Sequence, residues 1–226
     1  MYQQQIDRIL EKAKRLNLKL NPVICAERLT EIEKELNVEL PKSYKIFLTQ
    51  IQNGGASDNL DEKGPYYGIY PIEKSIEANQ EWEIDLRQNF PLVEDLEYGD
   101  LYNAEADWEK HEWRCENDEQ YQADIQQVLD QYQSTSMLEG TLPICEYGCG
   151  DFFRLVVTGE KAGEIWIDSG VINDTGFYSL NVDILTFFEN WLNKQIEVLS
   201  EPSKRFVNAW YSYLEFGENK RYKIVK

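Results

Sequence analysis

The sequence predicts an α+β fold in which helices pack against an antiparallel sheet. Apolar residues recur at helical spacing in residues 6–51 and again in 182–196, whereas residues 151–168 are rich in β-branched and aromatic side chains and contain a turn. Helices that precede and follow a strand meander along the sequence are typical of one α+β domain. No long linker or internal repeat divides the chain, so we expect a single domain over residues 1–226.

The N-terminal elements are predicted to be helices. Residues 6–16 place Ile6 and Ile9 on one face. A second helix is expected to begin at Thr30, where Glu33 completes a capping-box pattern. A third begins near Pro41, which suits a first helical turn, and ends at the glycines of 53–55. The aromatic residues 64–71 then predict a short strand between turns.

Residues 77–130 differ from the rest of the chain in their charge. They contain 17 acidic and 3 basic residues, a net charge of −14 out of −18 for the whole protein. Apolar stripes at helical spacing, over 104–115 and 121–132, distinguish the segment from a low-complexity acidic tail. We therefore predict an acidic helical insertion, residues 77–135, packed on one side of the domain.

The second half of the chain predicts strands followed by helices. Residues 151–158 and 163–168 flank a four-residue turn and form a hairpin, one face of which we expect to be covered by helices. Residues 182–196 predict a helix with Asn181 as its cap. Beyond it, residues 202–226 predict an extra C-terminal helix and a basic tail.

Composition excludes several classes of function. A sequence pI of about 4.5 argues against nucleic-acid binding, and the absence of a long apolar run predicts a soluble, cytoplasmic protein. The four cysteines are irregularly spaced, so we interpret them as reduced core residues rather than disulfides or zinc ligands.

Catalysis has few candidate residues. His111 is the sole histidine and lies in the acidic segment, and no nucleophile-elbow, P-loop or dinucleotide-binding motif occurs. Glu146 and Asp151 flank a glycine turn, but no pocket is evident for a carboxylate pair. We expect a non-enzymatic protein with no catalytic residues, no metal and no cofactor.

Four blocks of sequence, taken in order, resemble the SUKH superfamily of fungal Smi/Knr cell-wall regulators and bacterial immunity proteins. They are the helix of residues 29–40, the L-P-x-x-Y helix of 40–55, the glycine-containing block 142–153, and the G-E-I-W strand at 163–166 with the helix around 187–192. No block is specific alone, and together they cover about two thirds of the chain. The acidic insertion and the segment after Pro202 depart from the pattern.

The resemblance implies an α+β SUKH-like domain with a binding role. Bacterial members typically neutralise toxins, which are often nucleases, so the resemblance implies an immunity protein that blocks a toxin's basic cleft. An acidic surface is compatible with this role, because opposite charges accelerate association. Two alternatives remain open: a regulatory protein-interaction scaffold, and a small-ligand module that uses an aromatic sheet surface.

The expected partner is therefore a toxin protein with a basic surface. Candidate contact residues are the acids of the insertion and one tryptophan that falls off its apolar stripe: Glu105, Asp107, Glu109, Glu112, Trp113, Glu116, Asp118 and Glu119. A run of charged residues is, however, more often a helix face that is exposed to solvent and has no partner. Trp108 and Trp166 are instead predicted to be buried, because each lies on a stripe or strand.

Overall fold

The computed structural model describes residues 2–55, 65–97, 114, 117–123, 126, 135–148, 150–169 and 176–200. The helices are α1 (Tyr2–Arg15), α2 (Ala26–Leu36), α3 (Lys42–Ile46), which continues as a π-helical turn (Phe47–Ile51), α4 (Ile72–Glu81) and α5 (Ile184–Ser200). The strands are β1 (Leu96–Glu97), β2 (Thr141–Gly148), β3 (Asp151–Val156), β4 (Ile165–Ser169) and β5 (Gly176–Ser179). The predicted α+β class is confirmed.

The strands form one antiparallel sheet in the order β1-β5-β4-β3-β2. The predicted hairpin is confirmed as β3 and β4, with Phe153 paired to Ile167 and Arg154 to Trp166. Gly148 and Gly150 adopt φ values of 126° and 90°, so the predicted glycine turn joins β2 to β3. This meander brings sequence neighbours together in space.

Helices cover one face of the sheet, which we call the helical face. Phe153, Leu155 and Ile165 point into its core with at most 1% of their surface exposed. The helices contribute apolar stripes, including Ile9 from α1 and Phe188 from α5. Most buried side chains of these elements are apolar, so burial of hydrophobic surface is the main stabilising term of this core.

The opposite face, which we call the second face, has a smaller apolar cluster and buried charges. The cluster contains Phe90, Met137, Val156, Trp166 and Phe177. Beside it, Arg154 Nε donates to Asp168 Oδ2 over 2.6 Å, and the two side chains are 2% and 3% exposed. Both faces of the sheet are therefore covered, which goes beyond the predicted single helical layer.

Side chains and loops occupy the outer edge of β2. The carbonyls of Thr141, Ile144 and Glu146 accept hydrogen bonds from the Asn79 side chain and from two backbone amides of the 67–70 segment. Instead of the strand predicted over 64–71, that segment makes one bridge, between Ile69 and Cys145. Filling these acceptors removes a template for unwanted strand pairing.

Two predicted helix caps are wrong. α2 begins at Ala26, four residues before Thr30, because Cys25 Sγ accepts from the amide of Arg28, while the Thr30 hydroxyl donates back to the Ala26 carbonyl. Asp183, rather than Asn181, caps α5 through the amide of Thr186. In both cases a neighbouring side chain with better geometry satisfies the free amide.

Both described cysteines are free thiols, as predicted, but only one of them is a core residue. Cys145 is a buried free thiol, whereas Cys25 is an exposed one at the start of α2. Burial raises the pKa of Cys145 far above its ordinary value. The predicted helical stripe 104–115 and the C-terminal segment 202–226 lie outside the described residues, apart from Arg114.

Candidate partner-binding surface

The described part of the acidic insertion begins within α4. The buried side of this helix presents Ile72, Ser75 and Asn79 to the sheet, while Glu77 and Glu81 are exposed on the other side. Pro71 precedes the helix and fixes its entry. The local sequence thus separates a packing face from a charged solvent face.

The loop after α4 is bonded firmly to the sheet. The amide of Phe90 donates to the carbonyl of Thr158 over 3.0 Å, and the single proton of the Thr158 hydroxyl is shared between the carbonyls of Leu86 and Gln88. Gly140 has φ +70°, and a Cβ there would lie 2.6 Å from the amide nitrogen of Phe90. Only glycine allows this approach. The start of the acidic insertion is therefore held in place.

A pocket of about 220 Å³ lies between the C-terminal ends of α2 and α4 and the turn that follows α4. Its lining residues are Glu35, Leu36, Asn37, Ile76, Asn79, Gln80, Ile84, Asp85, Leu86 and Arg87. We call it the α2–α4 pocket. It combines apolar walls with carboxylates at its rim.

The ion pairs of this pocket involve both rim carboxylates. Arg87 donates from its backbone amide and its guanidinium to Asp85 over 2.8–2.9 Å. These hydrogen bonds lower the pKa of Asp85 to about 2. Arg28 Nη1 lies 3.3 Å from both Glu31 and Glu35, of which only Glu35 lines the pocket. Asp85 is therefore ionised at neutral pH.

A wider groove of about 630 Å³ lies between the N-termini of α1, α3 and α5 and the β3–β4 turn. Its carboxylates already have structural partners. Glu39 pairs with Lys45, Glu164 accepts from Ser179, and Asp183 caps α5. In this groove, as in the α2–α4 pocket, the carboxylates are already paired with other groups of the chain.

Residues 117–123 lie further along the acidic insertion, next to Arg114. Asp118 Oδ1 accepts from the amide of Tyr121, and Oδ2 pairs with Arg114 at 3.3 Å. The amide hydrogen bond, with a contribution from Arg114, lowers the pKa of Asp118. Arg114 also lies 3.8 Å above the ring of Tyr121, which is 4% exposed. Asp118 therefore helps to build this turn.

The structure describes two of the predicted contact residues. Asp118 is half-buried and accepts the hydrogen bond from the Tyr121 amide, while Glu119 is exposed. The remaining predicted contacts lie outside the described residues: Glu105, Asp107, Glu109, Glu112, Trp113 and Glu116. Sequence reasoning missed the α2–α4 pocket, because its walls come from α2 and α4, which are distant in the chain.

The other residues singled out from the sequence have structural partners. Trp166 is fully buried, as predicted, and its ring packs edge-on against Phe90 at 5.0 Å. On the same face of the sheet, Trp82 packs edge-on against Phe152, with ring centroids 5.0 Å apart. Asp151 begins β3, is buried and accepts from Ser169, whereas Glu146 is half-buried within β2.

The described part of the chain lacks two further features. Within it, no group of three or more His, Cys, Asp or Glu side chains is arranged to hold a metal ion. No helix among those residues is long and apolar enough to cross a membrane.

Comparison with known proteins gives one match. The sequence model of the SMI1 / KNR4 family (SUKH-1) matches residues 24–194, well over half of the chain. No curated protein and no solved structure matches. The matched range includes the acidic insertion and ends before residues 202–226.

Proposed function

The chain belongs to the SMI1 / KNR4 family (SUKH-1), and from this premise we propose that it is a non-enzymatic immunity protein. It acts in the cytoplasm, where it binds a cognate bacterial toxin and occludes the active site. The family has an immunity-type or Smi1/Knr4-type regulatory role, and its members are generally non-enzymatic. Both roles require protein partners.

The observation that carries the proposal is the concentration of charge in one segment. Residues 77–130 hold −14 of the total charge of −18. A nuclease must bind phosphates through a basic cleft, and an acidic surface on a folded inhibitor complements that cleft. Charge complementarity raises the association rate, which favours an inhibitor that must act before its target does damage.

Capture of the partner tests this function. Full-length tagged protein is incubated with extract of the source organism and washed at low and at high salt, and bound proteins are identified by mass spectrometry. We expect one stoichiometric basic protein with a toxin-like catalytic domain, released by salt because exposed charges are screened. The purified chain should then inhibit that domain.

Charge reversal in the insertion sharpens the test. Changing Glu105, Asp107, Glu109 and Glu112 to Lys should weaken both capture and inhibition. The control reverses four exposed acids elsewhere, at Glu11, Glu31, Glu160 and Glu197, with the same change in net charge. Equal loss in both variants would mean that net charge, rather than this surface, drives binding.

The regulatory scaffold is the second candidate, favoured by the fungal members of the family. It predicts several housekeeping partners and no inhibition of a catalytic domain. The small-ligand alternative receives less support, because Phe153, Trp166 and Phe177 of the sheet are at most 1% exposed. These three rings of the sheet are thus closed to a ligand.

A further inference from the structure

We propose that Asn53 is a site of spontaneous deamidation that the fold protects, and that its conversion loosens the start of α4. The inference goes beyond the proposed function, because it concerns a covalent change in the chain rather than a partner. Asn53-Gly54 is the single Asn-Gly dipeptide among the 226 residues. Glycine after asparagine favours deamidation, because no side chain shields the backbone nitrogen that attacks.

The reaction needs only this dipeptide and water. The backbone nitrogen of Gly54 attacks Cγ of Asn53, so that a C–N bond forms while the bond from Cγ to Nδ2 breaks. Nδ2 leaves as ammonia and takes the proton of the Gly54 amide. Water then opens the cyclic imide to give aspartate or isoaspartate, and isoaspartate has one extra methylene in the backbone.

The attacking nitrogen is available in the structure. Within the described part of the chain the amide of Gly54 donates no hydrogen bond, whereas the amide of Gly55 donates to the carbonyl of Ile69 over 2.6 Å. Gly54 has φ +64°, and a Cβ there would lie 2.3 Å from the backbone nitrogen of Pro71. Only glycine fits this position. The fold therefore requires the residue that makes Asn53 reactive.

Two hydrogen bonds hold the side-chain amide of Asn53 and oppose the reaction. Its Oδ1 accepts from the amide of Ile72, the first residue of α4, over 3.0 Å, and its Nδ2 donates to Glu73 Oε2 over 2.9 Å. Nδ2 has to give up the bond to Glu73 when it leaves, and a side chain held at both ends does not turn freely towards Gly54. We therefore expect deamidation mainly in molecules in which this junction has opened locally.

The products fit the junction less well than asparagine does. Aspartate still accepts from Ile72 but has no donor for Glu73, and two carboxylates would then lie side by side, which is unfavourable. Isoaspartate lengthens the backbone directly before Gly54, which already lies close to the backbone of Pro71. Because the acidic insertion begins within α4, deamidation weakens how that segment is joined to the domain.

Peptide mass spectrometry measures the reaction at this dipeptide. The full-length chain is incubated at mildly alkaline pH, both folded and in urea, and the conversion of Asn53 is followed with time. We expect conversion in urea and conversion at least about fivefold slower in the folded chain, as for a junction that is mostly closed. Equal rates under the two conditions, or no conversion in urea, would overturn the proposal.

Substitutions of Glu73 isolate the protecting hydrogen bond. Glu73→Ala removes the acceptor of Nδ2 and should speed conversion in the folded chain by ~2- to 10-fold. Glu73→Gln removes the same charge but keeps an acceptor oxygen, so it should change the rate little. All three chains should react alike in urea. Equal acceleration by both substitutions would mean that charge, rather than the hydrogen bond, protects Asn53, and would overturn the assigned protection.

The variant Asn53→Asp reproduces the aspartate product. Its melting temperature should fall by about 2–4 °C, because the hydrogen bond to Glu73 is lost and two carboxylates are brought together. Asn89→Asp adds the same charge at an exposed position in the loop after α4 and should leave the melting temperature unchanged. Equal melting temperatures for Asn53→Asp and the natural chain would overturn the loosening of α4.

Discussion

Along β3, successive side chains enter two different interiors. Phe153 and Leu155 point into the helical face, where apolar side chains from the helices surround them. Arg154 and Val156 point to the second face, where a small apolar cluster adjoins a buried ion pair. The same strand therefore contributes to one interior that is mainly hydrophobic and to another that depends on directional contacts.

The interiors on the two faces of the sheet therefore depend on different kinds of interaction. An apolar interior tolerates substitutions that preserve volume, because hydrophobic burial has little directionality. The Arg154–Asp168 pair requires its own geometry, since a buried charge without its partner is strongly unfavourable. We infer that the helical face supplies most of the stability, whereas the second face fixes how the loop after α4 is joined to the sheet.

The largest expected effect comes from Trp166 on the second face. Trp166→Ala should reduce the free energy of unfolding by ~4–5 kcal/mol, because it removes the largest fully buried side chain and leaves a cavity. Phe188→Ala on the helical face is the matched comparison, at ~3–4 kcal/mol. Urea unfolding measures both. If Trp166→Ala has the stability of the natural chain, the second face is not a packed interior.

The next effect separates charge from volume on the second face. Asp168→Ala leaves Arg154 buried without its main carboxylate, and should cost about 3–4 kcal/mol. The double variant Arg154→Met, Asp168→Leu replaces the pair with apolar groups and should recover most of that loss. Thermal and urea unfolding of both variants check this. A double variant as unstable as the single one would show that the ion pair itself is required.

A smaller effect concerns an ion-pair group between α1 and α5, on the side of the helical face. Arg8 and Lys12 lie 2.9 and 2.7 Å from Glu189, and the Arg8 hydrogen bond, supported by Lys12, lowers the pKa of Glu189 to about 2. A depressed carboxylate pKa stabilises the folded state above the ordinary value of 4.5, and this contribution is lost as pH falls towards 2.

Glu189→Gln should therefore cost about 2–3 kcal/mol at pH 7 and almost nothing near pH 2. Urea unfolding of the natural chain and the variant across this range gives the difference. Asp7→Asn on the exposed side of α1 is the control. A difference between Glu189→Gln and the natural chain that does not change with pH would mean that packing, rather than ionisation, explains the loss.

The smallest effect on stability is expected at Trp113. We predict that Trp113→Ala weakens partner binding while the melting temperature stays unchanged, because the residue falls off the apolar stripe of its segment. Calorimetric unfolding together with partner titration measures both. A large fall in melting temperature with unaltered affinity per folded molecule would place Trp113 among core residues such as Trp166.

Much of the local structure could be predicted from periodicity. The apolar stripes of α1 and α5 and the β3–β4 hairpin follow from side-chain spacing alone, and Trp166 was correctly predicted to be buried. The caps at Thr30 and Asn181 could not be predicted, because each competes with a nearby group, Cys25 or Asp183, that satisfies the same kind of free amide. Capping depends on backbone angles that the sequence pattern leaves open.

The candidate binding surface also has one property that the sequence predicts and others that depend on tertiary packing. The concentration of acidic residues in 77–130, on which the proposal of a basic partner rests, follows from the sequence alone. The α2–α4 pocket was decided by tertiary packing, which places Glu35 beside Asn79 and Asp85. Burial of Arg154 against Asp168 was decided in the same manner, by strand register. Periodicity reports which face of an element is apolar, but contacts between distant elements depend on how those faces meet.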